Sequence, residues 1–120
     1  MASLNQFGAV MTFAVELEGL LQDYYAGLGN DERAKAAAKR KSKMERVRRE
    51  NVVEITLEPI DGLDEGDYVL NLDDSSPEGQ NAVEQVAARF YADVAPKINV
   101  RQAQRAMERC GKEHASLINS

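Results

Sequence analysis

The chain has 120 residues, of which 43% are hydrophobic and 29% charged, and carries a formal net charge of -5. That length suits one domain, 1–120, built round a single core, and that balance excludes a disordered chain. No Lys or Arg precedes the first apolar stretch, and Glu16 and Glu18 interrupt it, so a signal peptide and a bilayer span are excluded and a cytoplasmic location is expected.

In chain order, the first predicted helix covers about residues 4–28 with Ser3 as its N-cap. Phe7, Met11, Ala14, Glu18, Leu21, Tyr25 and Leu28 recur at helical spacing along one face. Gly27, Gly29 and Asn30 supply a stop, and Asp31 can cap a second helix that runs to about residue 51. Its apolar face is thin: Ala34, Ala37, Ala38, Met44 and Val47, with Glu45 and Arg48 at the inner edge. The period then changes to two over residues 53–58 and again over 68–72, a strand-turn-strand pattern, although the second helix could continue to residue 57. Ser76 as cap and Pro77 at the first helical position open a third helix over about 77–95. A fourth follows Pro96, over about 99–118, with Val100, Ala103, Met107, Cys110, His114 and Leu117 on one face.

Charge is segregated along the chain. Residues 33–49 hold nine Lys or Arg against Glu45 alone, a local charge of +8, whereas residues 50–78 hold ten acidic residues and no basic one. The acidic neighbour and the pI near 4.9 disfavour nucleic acid and point instead to an acidic partner, or to pairing of the two segments within a copy or between copies. Cys110 is the sole cysteine, which excludes an internal disulfide and a thiolate metal cluster within one chain. There is no phosphate-cradling glycine loop, no zinc-ligand spacing and no nucleophile with a plausible base, and the carboxylates of residues 61–67 lack calcium-loop spacing.

One unit recurs. Glu18 precedes Tyr25 by seven residues and Glu84 precedes Tyr91 by the same step, while Met-Glu-Arg occurs at 44–46 and again at 107–109. Two helical hairpins of one design, joined by a long crossover, resemble the ferritin-like superfamily and its rubrerythrin-like branch. The resemblance implies an all-α four-helix bundle in which each hairpin gives a Glu and a Glu-x-x-His to a di-iron centre. The matching carboxylates are Glu18, Glu45, Glu84 and Glu108. Both histidines are missing, since Arg48 and Gly111 stand in their places. An arginine at 48 can act as a cation replacing the metal, bridging Glu45 to a neighbouring glutamate. His114 lies six residues beyond Glu108, about 120° round the helix, and reads as a core imidazole. Two functions follow: a non-catalytic bundle that works by self-association or partner binding, or a carboxylate-bound iron or manganese protein with oxidoreductase or metal-handling activity. A second apolar row on the first helix, Val10, Phe13, Leu17, Leu20 and Tyr24, points to a homodimer.

Overall fold

The computed structural model describes residue 4 and residues 7–51, 62–98 and 101–119. These residues form helices α1 (Phe7–Gly27), α2 (Asp31–Asn51), α3 (Pro77–Val94) and α4 (Arg101–Leu117), with 3-10 turns at Glu65–Tyr68 and Ala95–Lys97. No strand occurs among the described residues, and none of the described helices is long and apolar enough to cross a membrane.

The helix ends follow local chemistry. Asn30 N–H donates to the Tyr25 carbonyl at 2.9 Å and Gly29 N–H to that of Ala26 at 3.1 Å, a paired closure that needs the positive φ of 75° at Gly29. The side chain of Asn30, rather than that of Asp31, then caps α2 by accepting from Arg33 N–H at 3.1 Å. Ser76 caps α3 as its sequence predicts, accepting from Gly79 N–H at 3.1 Å with Pro77 next in the chain.

Contacts fix the directions. Thr12 meets Arg48 and Glu18 meets Arg40, so α1 and α2 are antiparallel. Glu84 meets His114 and Asn81 meets Asn119, so α3 and α4 are antiparallel too. Phe13 packs on Phe90 and Tyr25 reaches Glu84, which sets α1 beside α3, while Gln102 reaches Glu50 and Arg40 reaches Glu113, which sets α2 beside α4. The four helices thus make a square with α1 and α4 on one diagonal.

The described part of the crossover corrects two expectations. Residues 68–72 are not a strand arm. The Asp64 carboxylate accepts from Gly66 N–H at 2.7 Å and starts a 3-10 turn, which swings Tyr68 inward to donate to Asp93 at 2.7 Å. The apolar alternation there serves packing on α1 and α3 instead of strand pairing. The other arm, 53–58, and any extension of α2 to residue 57 lie outside the described residues. The second apolar row of α1 is also accounted for within the chain. Val10, Leu17 and Tyr24 are buried, Phe13 lies 6.3 Å from the Tyr68 ring, and the Tyr24 hydroxyl donates to the Asp74 carbonyl at 2.7 Å. Only Leu20 of that row stays well exposed, at 46%. Tyr68 and Asp74 of the crossover and Phe90 of α3 thus account within the chain for much of the width of α1.

Candidate functional site

The inward stripe of α1 delivers Glu18 to the centre of the bundle and that of α3 delivers Glu84; both are fully buried. His114, also fully buried, stands between them: its Nδ1 lies 2.6 Å from Glu84 Oε2 and its Nε2 lies 2.8 Å from Glu18 Oε2. Ionised carboxylates only accept, so an imidazole facing one at each nitrogen satisfies both by carrying a proton on each. Burial alone would lower the His114 pKa, yet hydrogen bonds to both glutamates and their negative charge raise it above the ordinary 6.5.

The two tyrosines of the repeat cross over. Tyr25 of the first hairpin donates to Glu84 Oε1 at 2.8 Å, and Tyr91 of the second donates to Glu18 Oε2 at 2.6 Å. Tyr91 also stacks on the His114 ring, with centroids 5.6 Å apart and planes inclined by 11°. A second cation serves Glu18 and not Glu84. Arg40, 3% exposed, donates Nε to Glu18 Oε1 at 2.9 Å and Nη1 to Glu113 Oε1 at 3.1 Å, while its Nη2 is buried without a partner among the described residues. Burial pushes the Glu18 carboxyl up, but the His114 hydrogen bond and charge, with Arg40 and Tyr91, outweigh it and hold the group below its ordinary 4.5. With Glu18 and Glu84 ionised and His114 and Arg40 protonated, the four buried groups sum to zero charge.

The structure thus brings together two of the four candidate carboxylates. Glu45 is half-exposed on α2 and Glu108 exposed on α4, because Met44 and Met107 take the inward positions and the next residue lies about 100° further round. Arg48 does not reach the cluster either. It is half-exposed, and its Nη1 donates to the Thr12 hydroxyl at 3.4 Å, so the neutralising cations are Arg40 and His114. Gly111 lies close against α3: a Cβ there would sit 3.0 Å from Tyr91 Cβ, so a side chain needs that neighbour to give by a few tenths of an ångström. Sequence signals for the two cations existed. Arg40 is the one charged member of a stripe otherwise made of Ala37, Met44 and Val47, and His114 follows Met107 and Cys110 on the apolar face of α4.

Among the described residues no group of three or more His, Cys, Asp or Glu side chains is placed to hold a metal ion. The reason is visible in the donor set: both ring nitrogens of His114 are already spent on carboxylates, and a tyrosine hydroxyl occupies each carboxylate as well. Cys110 is buried, and burial followed by the charge of Glu18 pushes its thiol up to about 12, so it offers neither a nucleophile nor a thiolate ligand. No known family matches this sequence, and no characterised protein or solved structure is similar to it.

Proposed function

We propose that the chain is a non-catalytic, ferritin-like helical bundle that acts through its surface, by self-association or by binding a partner. In this reading the charge network of Glu18, Glu84, His114 and Arg40 stands where the family holds its di-iron centre. The observation that carries it is the bifacial contact of His114, whose two nitrogens bind two buried carboxylates. An imidazolium there supplies the positive charge that a metal ion would otherwise supply between two buried carboxylates. The crossed Tyr25 and Tyr91 hydroxyls and the antiparallel hairpins support the ferritin-like part of the reading. The test is elemental analysis of protein purified without chelator and then incubated with ferrous or manganous salt. No stoichiometric metal should be retained, and the unfolding midpoint should be the same with and without it. A stoichiometric iron or manganese content would overturn the reading in favour of a carboxylate-bound metalloprotein.

A further inference from the structure

Two depressions of about 410 and 530 Å³ adjoin one another beside α2 and in the angle between α2 and α4, sharing Lys43 and Arg46. Lys39 lines one of them, and Arg101, Arg105 and Arg109 line the other, over a floor that includes Val47 and Ala106. No carboxylate lines either depression among the described residues; Glu50, at the rim, lies 4.0 Å from Arg46 and accepts from Gln102. The result is a cationic trough along one side of the bundle. The opposite side is acidic along the crossover itself, with Arg89 and Lys97 bordering only its beginning, near Gly62, Asp67 and Tyr68. Residues 62–78 hold no Lys or Arg, and Asp67, Asp73 and Glu78 are exposed where this segment climbs over α1 and α3 from the level of Phe13 and Phe90 to that of Tyr24.

We propose that this trough receives the acidic crossover, residues 62–78, of a second copy of the chain. This rests on the reading that the protein works by association, and names the partner. The two surfaces match in sign and extent: the acidic ridge spans roughly 16 Å along α1, and the basic residues of α4 span about 12 Å. They also sit on opposite sides of the square, so a chain cannot seat its own residues 62–78 in its own trough, whereas another copy can. The net charge of -5 and the absence of an aromatic side chain from the trough lining among the described residues disfavour an extended nucleic acid, which gains from a positive overall field and from stacking platforms. Contact charges act within a screening length of about 8 Å at physiological salt, so local complementarity outweighs the like net charge of two copies. Because the surfaces differ, the contact is head-to-tail, and each added copy leaves one trough and one ridge open. Association then grows beyond a dimer unless it closes into a ring.

Sedimentation velocity and light scattering on the whole chain test this. At low salt the mass should exceed the 13.3 kDa of one chain, and should fall to it near 1 M sodium chloride, where screening shortens to about 3 Å. Lys43→Glu with Arg105→Glu, and separately Asp73→Lys with Glu78→Lys, should each weaken association at least tenfold. An equal mixture of the two variants should restore it, because each then meets its complement. A monomeric wild type at low salt, association indifferent to both pairs, or a mixture that stays monomeric overturns the proposal. A further arm titrates a fluorescent polyglutamate peptide and a short DNA duplex. If copies stay apart but the peptide binds and Lys43→Glu with Arg105→Glu abolishes it, the second-copy proposal falls while association through the surface stands. Should the duplex bind instead, both the proposal and its acidic partner class fall. The wild-type salt series decides the matter even if a variant does not fold.

Discussion

The α1–α2 hairpin and the α3–α4 hairpin bring the same glutamate and the same tyrosine, seven residues apart, to the same level of the bundle, but they answer the buried charge differently. The second hairpin supplies His114, which touches both glutamates; the first supplies Arg40, which of the two central glutamates touches Glu18 and pairs outward with Glu113. Glu18 therefore has His114, Arg40 and Tyr91, while Glu84 has His114 and Tyr25. A repeat at the level of sequence has become a division of labour, in which one hairpin holds the network together and the other ties it to the surface.

Removing the shared cation should break this comparison most severely. His114→Leu strips both carboxylates of a partner in a low-dielectric interior and should cost about 4 kcal/mol at neutral pH, read by urea unfolding. An orphaned buried carboxyl takes up a proton as pH falls, so the variant's own stability should rise from pH 7 to pH 5, over the range in which the wild type gains the His114 contribution; a variant no more stable at pH 5 than at pH 7 would mean that its carboxyls are not buried as charges. Arg40→Met should cost less, about 3 kcal/mol, because Glu18 keeps His114 and because the change also removes the unsatisfied Nη2 donor. A larger loss from Arg40 than from His114 would reverse the ranking of the hairpins.

The pH profile of the wild type sharpens the same contrast. His114 has a pKa raised above 6.5, so its stabilisation is complete below about that pH and is lost as pH climbs through the higher native value. Glu18 has a pKa lowered from 4.5, so its stabilisation is complete above that pH and is lost as pH falls through the lower native value. The network should contribute most between about pH 4.5 and 6.5. Nitrogen-15 NMR of the ring should show both nitrogens protonated at pH 6.5, and a neutral tautomer there would contradict the bifacial arrangement.

Two tyrosine substitutions come next in size. Tyr91→Phe and Tyr25→Phe each remove a donor to a buried carboxylate and should each cost about 2 kcal/mol. The smallest effect belongs to Arg48. It is half-exposed, and among the described residues its guanidinium makes the one long contact to Thr12, so Arg48→Ala should change stability by less than about 0.5 kcal/mol at either pH.

Much of the bundle is legible in the residues themselves. Ser76-Pro77 and Gly29-Asn30 act through local hydrogen bonds that need no tertiary partner, so those boundaries follow from sequence. Glu18, Glu84, Tyr25 and Tyr91 are legible because each occupies an apolar stripe. The second pair of carboxylates misleads for a geometric reason: Met44-Glu45 and Met107-Glu108 differ by one position, and one position is about 100° of helix. Repetition of the string shows that its environment recurs, without showing which of its members faces inward. Arg40 and His114 escape for another reason. Each stands out in an apolar stripe, but the carboxylate it answers lies on a facing helix, and Arg40 and His114 are long-range neighbours, 22 and 96 residues from Glu18. The alternation at 68–72 misleads because a side chain reaching into the α1–α3 seam and a strand residue leave the same period-two trace.

The sequestered thiol of Cys110 gives this protein an internal clock. It is buried one turn below His114, and no alkylating reagent can reach it without separating α4 from its neighbours. When reclosing outruns the reagent, the labelling rate reports the population of opened molecules; when the reagent is in large excess, it reports how often they open. A single residue, with no engineered probe, thus lets mass spectrometry follow the breathing of the charged core directly in a mixture of copies.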